Sequence, residues 1–226
     1  MQYLYETHMH TSESSACAVS TAAEQVRAYK GKGYTGIIVT DHFINGNSTV
    51  PWKLGWNDKM KLFISGYEAA LSEGEKCGLD VFFGLEFTIR GSDFLTYGLK
   101  PEVLFSHPGM DGLSAEEYSA LVRRNGGYLA QAHPYRNSWY IEYKFPVAPE
   151  LLDGVEVYNA SMPDATNAKA RAFAKQHDLP PQAGSDSHSS EYQALSGVKL
   201  NKKADDIFGI IDAIKQRQAE LIQPKF

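Results

Sequence analysis

The sequence predicts a single α/β barrel, and three observations predict it. Short apolar runs alternate with amphipathic segments along the chain, as in repeated strand–helix units. The length, 226 residues, fits one such domain spanning 1–226. Histidines and carboxylates fall at the ends of the predicted strands, where the loops of a barrel converge on one mouth.

Taken in order, residues 3–7 read as a first strand that runs into His8. Ser20 is a candidate N-cap for a helix carrying Ala22, Ala23, Val26 and Tyr29 at helical spacing, and Gly31 and Gly33 stop it. Residues 35–40 form a buried strand with Asp41 and His42 at its end. The loop 43–56, with Trp52 and Trp56, is long for a strand–helix connection, and loops of that length are often lids or binding loops. A single helix is expected over 57–76 and a strand over 81–86, ending at Glu86. A turn at 90–93 leads into a strand over 94–99. Ser114 followed by Glu117 is a capping box that opens a helix to about Asn125. Strands follow at 128–132, before His133, at 154–158, at 181–185, before Asp186, and at 196–200. Helices are expected over 164–177 and 205–216.

Composition narrows the function. A net charge of −5 and the lack of a Lys/Arg-rich run argue against a dedicated nucleic-acid surface. A small phosphorylated substrate is compatible with that balance, because metal cations hold the phosphate instead. Two cysteines, Cys17 and Cys77, make no disulfide framework and suit a reducing cytoplasm. The N-terminal residues lack the pattern of a signal peptide, and no apolar run has the ~20 residues a membrane helix needs. Oligomeric state is not legible.

The chemistry lies in the strand-end residues His8, His10, His42, Glu86, His133, Asp186 and His188. Imidazole suits zinc, iron and manganese, and carboxylates bridge pairs of cations. In His8-Met9-His10 the two-residue period of an extended chain turns both imidazoles to one face, and Asp186-Ser187-His188 repeats the device with mixed ligands. His-x-His alone is a weak signal; the conjunction of strand ends is what carries the metal-site reading. Arg136, three residues after His133, is a candidate to bind phosphate through two hydrogen bonds. Asp41 is a candidate to orient the His42 imidazole or relay a proton. Asn159 ends a strand and is a candidate to line the mouth. His177, near a helix end, reads as a surface residue.

Thr7-His8-Met9-His10-Thr11, Thr40-Asp41-His42, Gly84-Leu85-Glu86, Ala132-His133-Pro134 and Gly184-Ser185-Asp186-Ser187-His188 resemble the motifs of the PHP (polymerase and histidinol phosphatase) family, in the family's order. The resemblance implies a distorted (β/α)7 TIM-like barrel with two or three divalent metals (Zn, Fe or Mn) at the C-terminal ends of its strands. It also implies a metal-dependent phosphoesterase that hydrolyses a small phosphate ester, a phosphorylated metabolite or nucleotide, through a metal-activated water. Carried over by motif, His8, His10, Glu86 and Asp186 hold one metal, Glu86 bridges to a second that takes His133, and His42 and His188 hold a third. The chain departs from the commoner patterns at two positions. Glu13 and Cys17 are the rivals after His-x-His, with Cys17 preferred; Asp93 and His107 are the rivals for the second metal, with Asp93 preferred. Two other readings stand beside this one. An amidohydrolase-like metal hydrolase usually carries a modified Lys on a strand, which is not found near these motifs; a non-catalytic metal-binding domain would lack part of the ligand set.

Overall fold

The computed structural model describes residues 2–142 and 146–223. The elements, in chain order, begin with β1 (Tyr3–Met9), α1 (Ala22–Gly31), β2 (Gly36–Val39), α2 (Trp56–Phe63), α3 (Ser65–Cys77), β3 (Asp80–Ile89) and β4 (Ser92–Tyr97). They continue with α4 (Pro101–Ser106), α5 (Ala115–Arg124), β5 (Tyr128–Gln131), β6 (Gly154–Asn159), α6 (Asp164–Gln176), β7 (Pro181–Gly184), β8 (Gly197–Leu200), α7 (Ile207–Lys215) and β9 (Glu220–Ile222).

The strands form one 9-stranded sheet in the order β7-β6-β5-β4-β3-β2-β1-β8-β9. β1, β2 and β3 pair in parallel, as do β5, β6 and β7, while β4, β8 and β9 pair antiparallel to their neighbours. The sheet curls until β7 meets β1. Thr7 Oγ1 donates to Ala183 O at 2.6 Å, and beyond the strand ends Asp186 N donates to His8 O at 2.8 Å and His10 N to Ser187 O at 2.9 Å. The α/β barrel is therefore nearly closed, but a (β/α)7 description does not fit its nine mixed strands. The reason is local. Arg90 and Gly91 both take positive φ (49° and 80°), a tight left-handed turn that joins antiparallel strands, so β4 runs back along β3 with no helix between them.

Apolar side chains fill both sides of the sheet. Phe43, Phe63, Phe87 and Tyr118 pack in one cluster, Tyr97, Tyr128, Val198 and Ile210 in a second, and Val26, Tyr29, Ile37 and Val39 in a third. The helix expected over 57–76 is two helices, α2 and α3, meeting at Ile64. Ser14 Oγ donates to the Phe63 carbonyl at 2.7 Å, and Gly66 lies so close to the end of β2 that an added Cβ would sit 2.6 Å from Asp41 Oδ2. The bend thus seats α3 against the loops that carry the functional residues. The N-cap of α1 is Thr21, in a capping box with Glu24, rather than Ser20, whose hydroxyl pairs with Ser190. Ser114 caps α5 as expected, with Glu117 reciprocating. Among the described residues no helix is long and apolar enough to cross a membrane.

Candidate metal centre

The end of β1 aims His8 and His10 into the barrel mouth while Met9 packs on the opposite side among Ala22 and Val26. Their rings lie 5.2 Å apart. Glu86, on β3, is the hub: its carboxylate oxygens lie 3.2 Å from His8 Nε2, 3.5 Å from His10 Nε2, 2.7 Å from His42 Nδ1 and 3.2 Å from His133 Nε2. Asp186 faces the same point from beyond β7, with Oδ1 3.5 Å from His8 Nε2 and 3.3 Å from His10 Nε2. The His188 ring stacks 4.2 Å from that of His10. Five histidines and three carboxylates thereby form overlapping groups with ligand atoms within 4.8 Å of one another: His8/His10/Glu86, His8/His133/Asp186, Glu86/Asp93/His133 and His10/His42/His188. His10 belongs to two of these groups, whereas the motif resemblance assigned it to the first metal alone.

The donor set fits metal ions. His8 Nε2, His10 Nε2, His42 Nδ1 and Glu86 Oε2 are buried without a hydrogen-bond partner, and they converge. Buried polar atoms left unsatisfied in this way are costly, and a cation among them removes the cost. Electrostatics agree. Burial alone would depress His8, but Asp186, Glu156 and Glu86 hold it well above the usual histidine value. His10 is held well below that value by burial and by the neighbouring His42 and His188. Burial would raise Glu86 and Asp186, yet the facing imidazoles pull both well below the usual carboxylate range. His133 and Asp186 sit at positive φ (25° and 54°), a conformation non-glycine residues adopt at a cost, and one that clusters at functional sites.

A second layer holds the ring nitrogens in place. Glu156 accepts from His8 Nδ1 at 2.9 Å, from His133 N at 2.8 Å and from Asn159 Nδ2 at 2.9 Å, so the Nε2 of His8 is left to face the cluster. Gly184 makes room for it, since a Cβ there would lie 2.5 Å from His8 Cβ and 2.6 Å from Glu156 Oε1. Asn159 is buried and also reaches Asp186 Oδ2, at 3.3 Å. Ser15 Oγ pairs with His10 Nδ1 at 3.0 Å and donates to Asp41 at 2.7 Å. Asp41, pushed by burial up to about 6, accepts from Thr11 N and Thr11 Oγ1 as well. Its hydrogen bonds therefore run through Ser15 to His10 and not to the His42 ring, which corrects the expected partner. Glu156, Ser15 and Glu6 escaped the sequence reading. Glu156 and Glu6 did leave a signal, because a carboxylate inside an otherwise apolar strand is buried only with partners.

The remaining candidates divide cleanly. Asp93 Oδ2 lies 3.8 Å from His133 Nε2, while His107 ends α4 with Nδ1 2.8 Å from Val103 O and joins none of the groups. Cys17 is exposed in the cavity that opens over the cluster; partial burial would raise its thiol, but hydrogen bonding to His188 and His42 draws it down to about 6. Glu13 instead accepts from Ala22 N at the start of α1. Arg136 lines the cavity with Nη1 4.0 Å from Asp93 Oδ2. Trp56 packs on Phe43 and donates to Leu104 O, so it is a core residue, and His177 caps α6 against Phe173. The cavity has a volume of about 640 Å³.

Residues 164–219 match the family model described as PHP-associated. Over 99% of its length the chain superposes, with a TM-score of 0.75 and 16% identity, on a two-domain protein containing a predicted PHP-like metal-dependent phosphoesterase from Bacteroides vulgatus ATCC 8482. The chain shares the fold of this PHP-like protein, and about a quarter of its length carries the PHP-associated match. Another structural neighbour is the lesion-specific endonuclease Q of Pyrococcus furiosus (TM-score 0.66, 14% identity, 98% of this chain). A further neighbour is endonuclease Q in complex with a 27-mer duplex bearing an abasic lesion at the active site (TM-score 0.65, 15% identity, 96% of this chain). The chain spans 65%, 58% and 57% of these three chains in turn, and at such identities the likeness is one of fold. No curated protein matches the sequence.

The endonuclease Q neighbours correct one expectation. The net charge of −5 and the lack of a Lys/Arg-rich run argue against a nucleic-acid surface, and the motif resemblance implies a small phosphorylated partner. A similar fold holds a 27-mer duplex substrate, with its abasic lesion at the active site, in endonuclease Q. Net charge sums the whole chain, whereas a phosphodiester meets only the cavity, where cations held by Glu86, Asp93 and Asp186 would set the local sign.

Proposed function

We propose that this chain is a metal-dependent phosphoesterase that cleaves the phosphodiester backbone of a nucleic-acid strand. The observation that carries the reading is the convergence of five imidazoles and three carboxylates, with orphaned ligand atoms, at the floor of an open cavity that also presents Arg136. His8, His10, Glu86 and Asp186 would hold one ion, Glu86, Asp93 and His133 a second, and His42, His188 and Cys17 a third. Such ions supply a Lewis acid for the phosphoryl oxygens and lower the pKa of water at the site.

The protein's own part is positioning. Glu156 fixes the tautomer of His8, and Ser15 with Asp41 fixes His10. Arg136, partly exposed beside Asp93, is free to turn its guanidinium to a phosphate entering the cavity. The buried floor keeps the carboxylates out of bulk water, which strengthens their hold on cations. Two free cysteines fit a reducing, cytoplasmic compartment.

The test is hydrolysis by chelator-stripped protein reconstituted with zinc, manganese or iron, on bis(p-nitrophenyl) phosphate and on single-stranded and duplex oligonucleotides. Cleavage of both classes, lost on chelation and restored by metal, is expected. His8→Ala should lose metal and rate together, and Arg136→Ala should lose rate with metal retained. Fully metallated protein that is inert on every phosphodiester would overturn the reading.

A further inference from the structure

Resting on that reading, we infer that Tyr140 and Trp139 form a base-stacking platform at the rim of the metal cavity, for nucleobases flanking the scissile phosphate. Trp139 is 94% exposed and Tyr140 43% exposed, their rings 5.8 Å apart and nearly perpendicular. Contiguous exposed apolar surface marks interaction sites where single exposed residues do not, and these two rings adjoin one another. Tyr140 lines the same cavity as His42, Asp186 and His188.

Arg136 joins the platform to the metal cluster. Its guanidinium carbon is 5.8 Å from the centre of the Tyr140 ring, and its Nη1 is 4.0 Å from Asp93 Oδ2. A nucleotide offers the matching pair of groups at matching spacing, an aromatic face and an anionic phosphate. Its base would lie on a ring while its phosphate meets the guanidinium and the cations. An apolar protein segment would match only the rings and would bring no anion to the exposed part of the Arg136 guanidinium, whose other neighbour is Asp93.

The exposed rings stand on a fastened backbone. Glu142 N donates to Arg90 O at 3.1 Å and Arg136 N to His133 O at 3.0 Å, and Ile141 is buried between them. Gly91, at φ +80°, lets the Tyr140 carbonyl approach so closely that an added Cβ would lie 2.6 Å from it. The turn that makes β4 antiparallel therefore also seats the platform. Trp139 does not itself line the cavity and reaches its rim through the ring contact with Tyr140, whereas Trp52, exposed at 78%, has its ring centre 5.2 Å from Lys53 Nζ and is no part of the lining.

The experiment measures binding of a phosphorothioate hexathymidylate, and of its abasic counterpart with the same backbone, to the metal-reconstituted full chain. Wild type should bind the thymidylate about tenfold or more tighter than the abasic strand, on the scale of aromatic–base stacking, with quenching of Trp139 fluorescence in a Trp52→Phe/Trp56→Phe background. Trp139→Ala/Tyr140→Ala should erase that preference, and Trp139→Phe/Tyr140→Phe should keep most of it. The exposed positions tolerate these changes without loss of fold. Equal binding of thymidylate and abasic strands by wild type, or an unchanged preference in the double alanine variant, would overturn the platform. Hydrolysis of bis(p-nitrophenyl) phosphate reports on the phosphoesterase reading separately, so metal-dependent cleavage without a base preference sinks the platform alone.

Discussion

Glu156 is the residue on which the cluster most depends without belonging to it. Its two oxygens meet three donors: His8 Nδ1, the His133 amide and the Asn159 side chain. A Gln at this position sets an amide N–H against one of those donors. Glu156→Gln should therefore weaken metal affinity about 10–100-fold while the fold persists, as loss of an outer carboxylate typically does. Competition with a chromophoric chelator checks it, and unchanged affinity would show that the ring is held by packing alone. The histidines make a second residue-scale prediction. In the metal-free protein His8 and His42 are held well above the usual histidine value, after burial is outweighed by the facing carboxylates, with His133 and His188 raised as well. Metal must displace those protons. Binding should release protons and tighten as pH rises through neutrality, a result that calorimetry in buffers of different ionisation enthalpy reads directly.

At the scale of elements, one buried carboxylate clamps three of them. Glu6 on β1 accepts from the Thr7, His8 and Ser185 amides, each at 2.9 Å, from Tyr29 of α1 at 2.8 Å, and from the Ser185 hydroxyl. Burial pushes it from the ordinary 4.5 up to about 7 despite those donors. A raised carboxyl pKa means that folding holds the proton more tightly than the unfolded chain does. The stability tied to that proton is present below about pH 4.5 and is lost as pH rises toward 7. Urea denaturation of metal-free wild type and Glu6→Gln across this window should show the slope in the former minus the latter; identical slopes would refute it. The capping box of α5 offers a simpler case. Ser114→Ala removes one half of it and should cost about 1 kcal/mol, with metal affinity untouched because Ser114 is exposed at the start of α5 and its cap bonds run to Glu117.

For the whole molecule, metals at the proposed site would close what the sheet leaves nearly closed. β1 and β7 meet through few hydrogen bonds, and the candidate ligands His8 and Asp186 stand on either side of that seam. Ions that bind the folded chain stabilise it by mass action, about 2.7 kcal/mol at 100 times Kd. For a chain of this size that corresponds to a rise in Tm of roughly 5–10 °C. Calorimetry with and without a chelator tests it, and no shift would mean that the folded chain binds the ions no better than the unfolded chain does.

The sequence by itself determined the α/β class and marked the candidate ligand types, because these lie in local patterns: two-residue alternation in His8-Met9-His10, strand-to-loop boundaries at His42 and His133, and the Ser114–Glu117 cap; Glu86, expected to end its strand, lies inside β3, which runs on to Ile89. The preference for Asp93 over His107 comes from the likeness of residues 93–98 to a family segment, and the structure puts Asp93 beside Glu86 and His133. The tertiary structure alone decided three things. The direction of β4 depends on two consecutive positive φ angles at Arg90 and Gly91, which residue types permit but do not compel. The second layer depends on contacts across the barrel, such as Glu156 with His8, 148 residues apart. The grouping of His10 with His42 and His188 depends on how far the sheet curls. Side-chain chemistry and backbone period are properties of neighbours along the chain; the meeting of distant strand ends is a property of the closed sheet, and the metal-binding geometry exists only once that closure is made.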